Sequence, residues 1–131
     1  MEVRFAHLAD AVNVSQEGKL NVTGIFDRLQ TDKFPIIWPV IIIVIKIEGD
    51  VAETDEEHEI TIKIVDEDGE PMAELKKAFR LSNPTSTLIP PAHGEILRIQ
   101  NLEFVKAGTY SFDIFINGRY HDALPLYVVQ K

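Results

Sequence analysis

Eight residues from Val40 to Ile47 read VIIIVIKI, and seven of the eight are Ile or Val. A membrane-crossing helix needs about 20 apolar residues, whereas this run already contains Lys46 and stops at Glu48-Gly49-Asp50. At about 3.3 Å per residue, eight residues make a strand of about 26 Å. Their β-branched side chains favour that conformation over helix. Apolar residues on consecutive positions leave no face for water, so the run predicts a central strand covered on both sides. Pro39 before it, with Lys46 and Glu48 near its end, guards against pairing between chains.

Elsewhere the apolar residues alternate. In TYSFDIFIN, Tyr110, Phe112, Ile114 and Ile116 share one face, while Ser111, Asp113 and Asn117 share the other. EITIKIV repeats the pattern with Ile60, Ile62 and Ile64. Period two is the signature of a half-buried strand. Asn117-Gly118 suits a two-residue hairpin turn that requires positive φ at both positions. Glu17-Gly18, Asp66-Glu67-Asp68-Gly69 and Lys106-Ala107-Gly108 suit other tight turns. The reading is an all-β, two-sheet antiparallel β-sandwich of about eight strands, immunoglobulin-like or C2-like, in a single domain over 1–131. The strands fall at about 2–13, 19–26, 38–48, 58–65, 71–81, 95–105, 109–117 and 119–129. A single helical turn is allowed only within 27–37.

Two strands change phase midway. The inward parity of Val3 and Phe5 gives way to Leu8, Val12 and Val14 near His7, and that of Leu97 and Ile99 gives way to Leu102 and Phe104 near Gln100-Asn101. Each flip predicts a β-bulge. Pro125 cannot donate to a ladder, which predicts an edge position for the last strand.

Composition restricts the partners. Thirteen basic residues stand against 21 acidic ones, a net charge of −8. Such a chain repels phosphate backbones and anionic surfaces, so neither nucleic acid nor membrane is an expected partner. Cysteine is absent, which excludes disulfides, thiolate metal sites and a cysteine nucleophile. MEVRFAHLAD carries Glu and Arg where a secretory signal needs an unbroken apolar stretch, so the expected location is cytoplasmic.

Candidate sites are few. Calcium needs six to eight oxygen ligands, and Asp27, Asp32, Asp66 and Asp68 are weak candidates to supply them, with a solvated hairpin turn as the plainer explanation. His7, His58, His93 and His121 lack the spacing that sets two imidazoles on one face, although strand direction alone could bring His58 and His93 to one end. No serine sits in a nucleophile elbow, and no glycine-rich loop is present to cradle phosphate. The expectation is a chain without catalytic residues, cofactor or metal. Of the aromatics, only Trp38, Tyr120 and Tyr127 fall where a sugar could stack. The loop SNPTSTLIPPAHG, 82–94, carries Leu88, Ile89, Pro90 and Pro91. Leu88 and Ile89 fold back to plug the end of the sandwich or, with Pro90 and Pro91, present an apolar contact to a protein partner.

The opening HLADAVNVSQEGKLNVTGIFDRL is similar to the start of a family of small bacterial proteins of unknown function. IVDEDGEP at 64–71 and AGTYSFDIFINGRYHDALPLYV at 107–128 resemble the same family. The resemblance implies a compact all-β sandwich with no established activity, and it brings no catalytic residues.

These features point to a non-catalytic binding or assembly module acting through protein contacts, with another protein or with itself as a homodimer. The contact surface expected first is the end carrying the 49–58 and 82–94 loops, and the edge of the last strand comes second. The alternative is a small-ligand binder such as a C2-like calcium or carbohydrate module.

Overall fold

The structure, a computed structural model, describes every residue from Met1 to Lys131. It contains nine strands: β1 (Glu2–Val14), β2 (Leu20–Phe26), β3 (Arg28–Thr31), β4 (Ile36–Glu48), β5 (His58–Val65), β6 (Pro71–Phe79), β7 (Ala92–Phe104), β8 (Gly108–Ile116) and β9 (Arg119–Gln130). They form one sheet in the order β2-β1-β4-β7 and another in the order β3-β9-β8-β5-β6. The two sheets enclose a core in a sandwich-like arrangement, the five-stranded one curling partway around it.

The run from Val40 is the centre of the first sheet. β4 is hydrogen-bonded to β1 on one side and β7 on the other. Ile41, Ile43, Ile45 and Ile47 enter the core with Ile60, Ile62 and Ile64 of β5 and Phe112, Ile114 and Ile116 of β8. Each such side chain gains about 1.5–3 kcal/mol over an exposed one. Ile42 and Val44 point to the opposite face and are buried as well.

The cover for that second face is the tip of the β1–β2 hairpin. In the plane of the sheet β2 and β7 stand three strand spacings apart, about 14 Å. Yet Leu20 Cδ1 lies 4.0 Å from where a β-carbon on Gly94 would be. The hairpin therefore bends over the sheet and lies across β4. The bend falls at Asp10 and Gly24, where the ladder is interrupted and Gly24 adopts φ +69°. Beyond it Val12, Leu20 and Val22 are half-buried, while Asn13, Asn21 and Thr23 face solvent.

Several expectations need correction. There are nine strands, not eight, because 28–31 is a strand where the sequence allows only a helical turn. β3 pairs parallel to β9, the exception in an otherwise antiparallel fold. Four residues with Leu29 alone buried are too few to display a period. The helical turn lies instead in the acidic loop, a 3-10 turn at Val51–Asp55, where the Glu53 carboxylate accepts the Asp50 amide at 2.8 Å. β7 begins at Ala92, so the long loop is shorter than 82–94.

The first bulge lies between Val3 and Phe5, earlier than His7. Near Asn101 the phase does flip, with φ +57° there, but no extra residue is inserted. Pro39 on β4 falls directly across from Asn101, and the pairs on either side keep register. Both strands turn over together, which brings Trp38 and Ile36 toward the core beside Leu102 and Phe104. Pro125 lies opposite Ser111 of β8, and β3 flanks β9 only from Tyr127 onward. The last strand is thus an edge for the half that holds the proline.

Candidate functional site

Where the edge strands β6 and β7 face each other, the sandwich has an open seam, and alternation aims two charges into it. Lys77 shares its parity with Leu75 and Phe79, and Glu95 shares its own with Leu97 and Ile99. Lys77 Nζ meets Glu95 Oε2 at 2.8 Å, and His93 Nε2 lies 2.9 Å from Glu95 Oε1. Glu95 is buried, while Lys77 is about half exposed. Burial by itself would push the Glu95 carboxyl up, but the hydrogen bonds from His93 and Lys77 outweigh it and hold the group below the usual carboxylate range.

Aromatic stacking continues the cluster. The Phe79 ring lies 5.0 Å from His93 and 5.6 Å from His58. His58 is buried, with Nε2 2.7 Å from the Glu53 carbonyl and Nδ1 3.0 Å from Asn117 Nδ2. Because Asn117 Oδ1 accepts the Glu59 amide at 3.0 Å, its nitrogen faces His58 and donates. The ring must then accept at Nδ1 and donate from Nε2. His58 and His93 do come to one end, separated by a phenyl ring. No fully buried polar side-chain atom of the cluster lacks a hydrogen-bond partner.

The same end of the fold carries the two expected contact loops. Gly49 donates to the Pro91 carbonyl at 3.0 Å, and Ser82 donates to the Ala92 carbonyl at 2.8 Å, which pins the base of the 80–91 loop. Its tip is turned by Ser86, whose hydroxyl accepts the Leu88 amide and whose carbonyl accepts the Ile89 amide, both at 3.2 Å. Leu88 is 91% exposed and Ile89 57%. They do not plug the sandwich; Pro91 is the buried residue of the four, and Pro90 is exposed. Val51, 64% exposed, stands on the neighbouring 3-10 turn. Both loops line one groove of about 290 Å³ that includes Val51, Pro84, Ile89, Pro90 and Pro91.

At the other end of the seam is a cleft of about 720 Å³ walled by Met72, Ile99, Asn101, Leu102, Lys106 and Tyr110, among others. Burial pushes the Tyr110 hydroxyl above its ordinary range, and that hydroxyl donates to the Lys106 carbonyl four residues upstream. Sequence alternation contains the parity of Lys77 and Glu95, but charges at inward positions of edge strands are recognisable only once the strand order is known.

The four aspartates do not converge. Asp66 Oδ1 accepts the amides of Asp68 and Glu70, both at 2.9 Å, which commits it to its own turn. Asp68 lies 3.6 Å from Lys106 Nζ. Asp27 and Asp32 flank β3, across β8 and β9 from that turn. No three His, Cys, Asp or Glu side chains gather closely enough to hold a metal ion. The aromatics do not form a platform either: Trp38 packs against the core, and Tyr120 and Tyr127 are seven residues apart along β9, about 23 Å.

No helix is long and apolar enough to cross a membrane. No curated protein matches the chain in sequence. Residues 4–129, nearly the whole sandwich, fit the model of DUF6941, a family of unknown function, and the chain belongs to that family.

Proposed function

We propose that this protein is a non-catalytic binding module that works through protein contacts at the end formed by the 3-10 turn and the 80–91 loop. The observation that carries the reading is Leu88, 91% exposed on a loop whose base is fixed by backbone hydrogen bonds. An aliphatic side chain held out from a fixed loop gains little within its own fold, and its burial by a partner would contribute about 1.5–3 kcal/mol. Ile89 and Val51 beside it enlarge the apolar patch, and the groove between the loops gives a partner side chain somewhere to enter.

The test compares quantitative affinity capture with the wild-type chain and with a Leu88→Ser/Ile89→Ser variant. The expected result is one partner enriched by the wild type and lost by the variant, at an unchanged melting temperature. An identical captured set would overturn the reading.

A second reading, a small-ligand binder, rests on the 720 Å³ cleft, whose wall holds Asn101 in the left-handed conformation. Binding there would make Asn101→Ala weaken ligand-induced stabilisation. Calcium is tested separately: a rise in melting temperature with millimolar Ca²⁺ would favour a metal, and an unchanged midpoint removes it.

A further inference from the structure

The outer edge of β6 belongs to no ladder. β6 ends its sheet, and β7 across the seam meets it through side chains such as Lys77–Glu95, without strand pairing. An open edge of nine residues is a template for another strand, and the sequence along it has a particular symmetry. From Glu70 to Arg80 it reads EPMAELKKAFR. About Leu75 at its middle, acids occupy the first half, at 70 and 74, and bases the second, at 76, 77 and 80.

We propose that β6 pairs antiparallel with β6 of a second copy of this chain about a two-fold axis through Leu75, joining two five-stranded sheets into one. In that register Glu74 stands opposite Lys76 of the partner subunit. Two-fold symmetry repeats the pair. Residues directly opposite share a face, so the charges meet rather than straddle the sheet. Lys77, engaged with Glu95, stands opposite Ala73 of the partner subunit, a small neighbour that leaves the seam cluster undisturbed.

The two charged side chains are free for this within one copy. Glu74 and Lys76 are exposed, and neither forms an ion pair inside the chain. Lys63, directly across from Glu74 on β5, would be its natural partner. Instead its ammonium lies over the Phe115 ring, 4.6 Å from the centroid. The inference is independent of the apolar tip, which lies on different loops.

Sedimentation equilibrium of the full chain tests it. The wild type is expected to reach twice 14.8 kDa with rising concentration. Glu74→Lys and Lys76→Glu each set like charges opposite one another twice and raise the dissociation constant about tenfold or more. The double variant Glu74→Lys/Lys76→Glu restores opposite charges and the dimer, as does mixing the two single variants. Leu88→Ser/Ile89→Ser leaves the dimer intact. A wild-type chain that stays monomeric would overturn the proposal. So would single variants that dimerise normally, or a double variant or mixture that fails to recover.

Discussion

Lys77 Nζ and Glu95 Oε2 meet at 2.8 Å across the gap between the two sheets, so the edge strands β6 and β7 are joined by an ion pair where no backbone ladder joins them. The carboxylate is buried and also takes a hydrogen bond from His93. Because half the lysine is in water, screening keeps its Coulombic share modest. The stake is the buried carboxylate, which would be costly without its donors.

Replacing Glu95 by Gln is expected to lower stability by about 1–3 kcal/mol at neutral pH. The folded-state pKa lies below the ordinary value of a free glutamate, so this stabilisation is fully present above that ordinary value and is lost as pH falls through the folded one. Melting temperatures of wild type and variant should differ most above the ordinary carboxylate range and converge as the pH falls below it. A constant gap across that range would mean that the charge contributes nothing.

Gly24 marks the bend that lays the first hairpin over β4. Its φ of +69° costs an L-residue about 1–2 kcal/mol, and a β-carbon there would come within 2.4 Å of Asp10 Oδ2. Gly24→Ala should therefore destabilise by more than the backbone cost alone. In an Asp10→Ala background the loss should shrink toward about 1–2 kcal/mol. Urea midpoints for the four chains decide the matter: equal losses in both backgrounds would show that the aspartate does not press on the bend.

Asn117 serves two needs at once. It occupies the left-handed position of the β8–β9 turn, with φ +52°, and it bonds both the Glu59 amide and His58. Asn117→Gly relieves the backbone but abandons both bonds, leaving a buried ring nitrogen without a donor, at about 1–3 kcal/mol. Asn117→Ala adds about 1 kcal/mol or more for the positive φ. Thermal unfolding that ranks wild type above Gly and Gly above Ala supports both roles; a Gly variant as stable as wild type would remove the link to His58.

Much of this architecture was legible because it depends on local period. β4, β5 and β8 declare themselves through Ile, Val and Phe at fixed parity, and the Asn117-Gly118 turn through the backbone it demands. What escaped depends on strand order. β3 forms because β9 offers its backbone, not because RLQT prefers to be a strand. The paired turnover at Pro39 and Asn101 looks like a bulge from either strand alone. The Glu95 cluster needs residues 58, 77, 79, 93 and 95 together, and no spacing in the chain reveals that β6 and β7 border the same seam. The exposed tip is a half-success: the loop was evident from its prolines, but only three-dimensional placement separates Leu88 in water from Pro91 inside.

That β4 is the organising strand is tested most directly by native-state hydrogen exchange. Its backbone from Ile41 to Ile45 is flanked by β7, with β1 alongside over the shared stretch, and its side chains are buried on both faces. The hydrogen-bonded amides of Ile41–Ile45 should exchange only through global unfolding and be among the slowest in the molecule, with those of β2, β3 and β6 released earlier by local opening. Amides of β4 that exchange as fast as those of the edge strands would contradict the account.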